Sequence, residues 1–176
     1  VFDLEANRGN ILDNKGSLLA TSVPIFEIRM DVSSPHISDE QFRLKVDSIA
    51  TGLSKILGNS KQKTKSSLIK ARNKGNRYFL IGRRVTYDQL KQIRTLPILR
   101  NGKYSGGLIA IQKTQRAKPY NELASRTIGY VIEKENLYVG LEGAYTDVLT
   151  GKNGKMVMRR INHGDWIPIH DENEIE

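Results

Sequence analysis

Phe42, Val46, Ile49, Leu53 and Ile56 recur at three- and four-residue spacing between Ser38 and Gly58, with Leu57 beside the last of them. That period gathers them on one face of an α-helix. Ser38, with Gln41 three residues on, has the form of a capping box, and Gly58 is a natural C-terminal cap. A helix with so continuous an apolar face must bury it against a partner layer, so the rest of the chain is read for that layer.

Strand-like runs stand at both ends. Asn10-Ile11-Leu12 leads into Asp13-Asn14-Lys15-Gly16, a turn with Gly where φ > 0 is tolerated. Ser17 to Ala20 follows, and then Ile25 to Met30, which alternates apolar and polar as a half-buried strand does. Pro24 between them lacks a donor and suggests an edge or a bend. Further on, Tyr78 to Val85 and Leu108 to Gln115 read as strands. Met156 to Asn162 and Trp166 to Ile169 read as a closing hairpin about a His163-Gly164 turn. The first and last strands are expected to pair.

Helices fill the middle. One runs from about Lys61 to Lys74 with a thin apolar face (Leu68, Ile69, Ala71) that suits a surface position. Another opens on a Thr86/Gln89 capping box and ends before Pro97. A short helix follows Pro119 and stops at Gly129, and one more runs from Gly140 to Leu149. Strands at the ends with helices between give an α+β expectation. A mixed or antiparallel base sheet is formed by the chain ends, residues 1–31 and 102–170. A helical head lobe, about residues 32–101, is inserted in it.

Charge narrows the partners. The formal net charge is +9. Between Lys61 and Arg116 stand fifteen Lys and Arg and one acid, Asp88, whereas residues 171–176 carry four acids and no base. Such a block favours anionic partners (nucleic acid, anionic lipid or cell-wall polymer) or serves as a solvated face. Nucleic-acid binding is the alternative from another functional class. Against it, only Tyr78, Phe79, Tyr87 and Tyr104 punctuate the basic block, and no RNP motif, zinc finger or GXXG loop occurs. No apolar run approaches the ~20 residues of a membrane span. The chain opens on Val1-Phe2-Asp3-Leu4 without an initiator Met, so a trimmed segment of a longer protein is expected.

Catalytic signatures are thin. The absence of cysteine excludes disulfides, thiolate catalysis and Cys-based zinc sites. His36, His163 and His170 form no H-E-x-x-H pattern, so no metal is expected. Gly140 to Gly154 contains neither a phosphate-binding nor a dinucleotide-binding glycine motif, and no cofactor is expected. S-x-x-K occurs at Ser60–Lys63 and Ser67–Lys70. In penicillin-binding enzymes this spacing sets a Ser hydroxyl one helical turn from a Lys amine. Here both matches lie in a Lys-rich helix, with no following S-x-N or K-[ST]-G, so no catalytic residue is assigned.

Three separated motifs carry a resemblance. Arg8-Gly9-Asn10-Ile11-Leu12-Asp13-Asn14-Lys15-Gly16, continuing to Leu19-Ala20, resembles R-G-x-I-x-D-x-x-G-x-x-L-A of class B penicillin-binding proteins. Arg116-Ala117-Lys118-Pro119-Tyr120, continuing to Ile128-Gly129-Tyr130, is similar to their R-x-x-P…A-x-x-x-G-Y. Asn121 and Thr127 stand where Gly and His are usual. Gly140-Leu141-Glu142-Gly143, then Leu149 to Gly154, resembles G-x-E-G…L-x-G-x-x-G.

The resemblance implies the N-terminal pedestal, or dimerisation, domain of a bacterial serine-type peptidoglycan D,D-transpeptidase used in septal or lateral wall synthesis. The fragment itself would be non-catalytic, with residues 171–176 a linker toward the transpeptidase domain. The parent would be a single-pass membrane protein facing the periplasm. Its partners would be a SEDS-family lipid-II polymerase and other divisome or elongasome proteins, with a homodimer possible and no nucleic acid. The implied structural residues are Arg8, Gly9, Asp13, Gly16, Arg116, Pro119, Gly129, Gly140, Glu142, Gly151 and Gly154. Arg8 and Arg116 each offer a planar fork to a carboxylate, with Glu142 the first acceptor and Asp13 a second. Arg83, Arg84 and Lys91, on the exposed lobe, are expected at the partner contact.

Overall fold

The computed structural model describes residues 2–4, 6–121, 123–156, 158–160 and 166–168. In chain order its elements are β1 (Phe2–Leu4), β2 (Ile11–Leu12), β3 (Leu18–Met30), α1 (Asp39–Leu57), α2 (Lys61–Asn73), β4 (Phe79–Val85) and α3 (Tyr87–Ile93). There follow α4 (Gly102–Gly106), β5 (Leu108–Ala117), α5 (Ser125–Ile128), β6 (Tyr130–Ile132), β7 (Leu137–Val139), α6 (Gly140–Ala144), α7 (Thr146–Leu149), β8 (Gly154–Met156), β9 (Met158–Arg160) and β10 (Trp166–Pro168). The fold is α+β. Its contacts divide into two units, one from the described residues of 1–23 and 116–176, the other the continuous stretch Pro24–Gln115.

The continuous unit is built on α1. Ser38 accepts the Gln41 backbone N–H at 3.1 Å, Asp39 and Glu40 occupy the first turn, and Gly58 closes the helix. These satisfy donors the helix leaves open and complement its dipole. Phe42, Val46, Ile49, Ala50 and Leu53 are buried, while Ile56 and Leu57 are only partly covered. Phe42, Val46, Ile49 and Leu53 join Ile28, Met30, Val32, Leu68, Val85, Leu90, Ile93, Leu99 and Leu108 in one core. Each such side chain contributes roughly 1.5–3 kcal/mol on burial. From α2 only Leu68 and Ala71 are buried. Arg72 fastens that helix: its guanidinium donates to Asp39 at 2.7 Å and to the Val32 and Ile37 carbonyls at 2.6 and 2.7 Å. Strand β4 pairs antiparallel with β3, and β5 also pairs with β3. The capping box at Thr86 and Gln89 has both arms formed.

In the other unit, β2 pairs antiparallel with the start of β3 across the Asp13–Gly16 turn. The runs expected as separate strands on either side of Pro24 are one strand, β3. Pro24 lies exposed within β3, between the residues registered with β2 and those registered with β4. Strand β1 pairs with β8, Phe2 opposite Met156, whereas β10 pairs with β9. The first strand therefore meets the other end of the chain one hairpin earlier than the last strand. The helix expected from Gly140 to Leu149 is two short ones, divided at Tyr145, whose φ of −106° leaves the helical region. The β6–β7 hairpin, with Tyr130 opposite Val139, carries no expectation from the sequence. The His163-Gly164 turn, His170 and the acidic tail lie outside the described residues.

Candidate functional site

One charged residue from each of the three motifs, Arg8, Arg116 and Glu142, meets at a single carboxylate. Glu142, in the first turn of α6, is 2 % exposed. Its Oε2 accepts Arg8 Nε at 2.7 Å and its Oε1 accepts Arg116 Nε at 2.6 Å. Arg8 Nη2 also donates to the Glu142 carbonyl at 2.7 Å and to Thr146 Oγ1 at 3.2 Å, and Arg8 Nη1 donates to Thr150 Oγ1 at 3.0 Å. Arg116 Nη1 reaches Ser22 Oγ at 3.2 Å and the Arg8 carbonyl at 3.3 Å. One buried carboxylate thus holds two guanidiniums from distant stretches of the chain. The Arg116 Nη2 atom is buried with no hydrogen-bond partner among the described residues.

The surrounding motif residues shape this clasp. Gly9 lies against Leu149 and donates its N–H to that carbonyl at 2.7 Å. Lys118 Nζ donates to the Gly129 carbonyl at 2.6 Å. Gly140 begins α6, Gly143 packs on the backbone of Tyr138, Gly151 lies near Ala6, and Gly154 begins β8 opposite Leu4. Pro119 is exposed in the loop before α5. Asp13, expected as a second acceptor for an arginine, goes elsewhere. Its Oδ1 accepts the backbone N–H of Lys15 and of Ser17, each at 2.8 Å. A carboxylate within reach of turn N–H groups is satisfied locally. Those bonds hold its carboxyl below the ordinary 3.8.

A family model described as "Penicillin-binding Protein dimerisation domain" matches residues 3–174. The chain belongs to that family. A curated relative, peptidoglycan D,D-transpeptidase FtsI of Escherichia coli strain K12, is 26% identical over 169 residues, which are 93% of this chain and 26% of the relative. The chain thus spans about a quarter of the length of that relative. Among solved structures, penicillin-binding protein 2X from Streptococcus thermophilus superposes with a TM-score of 0.61 at 22% identity, over 94% of this chain and 26% of that one. A complex between penicillin-binding protein PBP2 and MreC from Helicobacter pylori gives 0.55 at 20% identity, over 96% and 33%. These two likenesses bear on the fold.

In this member of the dimerisation-domain family, the residues expected at a partner contact lie on the continuous unit. Phe26 registers with Val85 and Ile28 with Gly82, so two residues of β4, Arg83 and Arg84, oppose the single Glu27 of β3. That count is a β-bulge. Both arginines are exposed, and Arg84 has φ +55°. Glu27, 8 % exposed, was not singled out by the sequence. Its Oε1 accepts Arg29 at 2.6 Å, its Oε2 accepts Lys113 at 3.1 Å, and Arg83 Nε stands 4.0 Å from Oε2. The only sequence signal for it is an acid inside an apolar strand, Ile25-Phe26-Glu27-Ile28. Lys91 sits over the Tyr87 ring, 4.6 Å from its centroid. Ser60 and Ser67, the two S-x-x-K serines, are exposed; Ser60 precedes α2 rather than lying within it.

The hydrogen bond from Arg29, and then that from Lys113, hold the Glu27 carboxyl below the ordinary 4.5. With the folded value lowered, the unfolded chain binds more protons between the two values. The stabilisation is therefore present above about pH 4.5 and is lost as the pH falls through the lowered folded value. A carboxyl-carbon NMR titration is expected to place the Glu27 midpoint below 4.5. Glu27→Gln is expected to flatten the acid limb of the urea-unfolding midpoint, and an unchanged limb contradicts the assignment.

Proposed function

We propose that this chain is the non-catalytic pedestal of a peptidoglycan D,D-transpeptidase active in septal or lateral wall synthesis. Its base, residues 1–31 and 102–170, holds a head lobe, about residues 32–101, and leads through residues 171–176 to a transpeptidase domain. The parent is carried by an N-terminal membrane helix and faces the periplasm. The pedestal positions the catalytic domain and offers a surface to a SEDS-family lipid-II polymerase and other divisome or elongasome proteins, with self-association a further use of that surface.

The observation that carries this reading is the clasp. Arg8 and Arg116 each pair with the buried carboxylate of Glu142. Groups so engaged hold distant chain segments in place. The PBP2 of the solved Helicobacter complex is seen with MreC, a precedent for protein partners in a similar fold.

Labelled penicillin tests the proposal. It is expected to leave this chain unmodified and to label the longer gene product, whose following residues should supply S-x-x-K, S-x-N and K-[ST]-G in order. Covalent capture at Ser60 or Ser67 would overturn the reading. So would nanomolar, salt-steep DNA binding in a mobility-shift assay at physiological salt.

A further inference from the structure

The bulge at Arg83 and Arg84 carries more positive charge than the fold uses. Left-handed backbone costs a residue with a side chain, and glycine would hold it freely. Position 84 nevertheless bears an arginine at φ +55°. Ile25, Glu27, Arg83, Arg84 and Lys113 line a hollow of about 180 Å³. Three cations face one carboxylate there, and both oxygens of that carboxylate already have partners in Arg29 and Lys113. Arg83 stands at 4.0 Å, beyond hydrogen-bond reach, and the Arg84 side chain makes no hydrogen bond or ion pair among the described residues.

The neighbourhood favours a protein over other anions. Tyr87, 52 % exposed, packs on Phe26 with ring centroids 6.3 Å apart and lies under Lys91. Exposed Tyr and Arg side by side are the residue types that dominate protein–protein contacts. A lipid surface calls for a broad cationic face with apolar side chains to insert. This hollow instead admits one acidic side chain, whose methylenes would lie along Ile25.

We propose that the Arg83–Arg84 bulge is a docking site for an acidic segment of a partner protein. One Glu or Asp side chain enters the hollow and accepts from Arg84 and Arg83, and the segment's next side chain rests on Tyr87. The site deepens the partner-binding reading above and rests on it.

The test is an NMR titration of the ¹⁵N-labelled chain with the peptide acetyl-Ala-Glu-Leu-Glu-Ala-amide and with its Gln analogue. The acidic peptide alone is expected to shift amides around residues 82–88 and Lys113, more weakly as salt rises. Arg84→Gly is expected to weaken binding about fivefold, the effect of one charged contact at an interface. The same variant relieves the left-handed backbone, so its melting temperature stays level or rises, which separates lost charge from lost fold. Equal shifts with both peptides, no shifts at millimolar peptide, or undiminished binding by Arg84→Gly would overturn the proposal. Phosphatidylglycerol vesicles that retain the chain through Arg84, when the peptide does not bind, would reassign the hollow to lipid and overturn it too. A failed titration beside penicillin capture by the longer product sinks the docking site alone, whereas a positive titration with no capture sinks the pedestal reading.

Discussion

Glu142→Ala is expected to destabilise the unit containing the clasp by about 3–5 kcal/mol, the cost of breaking a buried ion pair from one side. Two mechanisms add. Arg8 and Arg116 lose their shared acceptor while still enclosed, at side-chain exposures of 19% and 20%. The like charges then face each other across the vacated space, and Arg116 already has one buried nitrogen, Nη2, with no partner among the described residues. A loss of this size is a large share of the stability of an ordinary domain. Glu142→Gln should cost less, because its amide oxygen still accepts from one guanidinium. Urea unfolding of the chain, followed by amide exchange at residues 8–9 and 146–150, checks the order. An Ala variant with an unchanged unfolding midpoint would refute the clasp as a structural element.

Gly129→Ala is the second large effect, expected at about 3 kcal/mol or more from backbone strain together with overpacking. Gly129 has φ +69° and ψ −156°, a region essentially restricted to glycine. A Cβ there would also run into the carbonyl of Val139 and crowd the nitrogen of Gly140 at 2.7 Å. Gly140 returns the approach, since its own Cβ would lie 2.8 Å from the Gly129 Cα. Gly16→Ala is the control. Its φ is +83° but an added Cβ would meet nothing within 4 Å among the described residues beyond its chain neighbours, so it should cost only about 1 kcal/mol. Equal losses at the two positions would show that the contact between the two glycines is unimportant.

Local signals made much of the continuous unit legible. Helix α1 announced itself because its caps, apolar period and length all agree, and α3 did so through a capping box that the structure completes on both sides. The elements that escaped notice lack such agreement. Helix α4 contains two glycines in five residues, and β6 and β7 are three residues each, joined without a Gly in the turn; Asn136 supplies the left-handed residue at φ +51°. The break at Tyr145 depends on tertiary packing, which periodicity does not record.

The clasp was legible only in part. Glu142 could be nominated from its motif, but nothing in Gly140-Leu141-Glu142-Gly143 says that it is 2 % exposed or that Thr146 and Thr150 surround its arginine. Asp13 was misdirected because a turn aspartate has backbone donors two and four residues away, and these outcompete a distant side chain. The bulge at Arg84 left no mark either, since its backbone is one a glycine would ordinarily signal.

The clasp also orders events in time. Arg8 and Glu142 are 134 residues apart, and at bacterial rates of synthesis Arg8 emerges on the order of ten seconds before its acceptor exists. During that interval the stretch Pro24–Gln115 already holds every residue of its own core, from Ile28 to Leu108, and can close without waiting. Its closure shortens the remaining loop between Arg8 and Glu142, reducing an entropic cost that grows only with the logarithm of length. The anion arrives last, after both cations it must hold. Ribosome-bound chains ending before Glu142 should therefore carry a folded central stretch beside an N-terminal hairpin whose arginine still points to water.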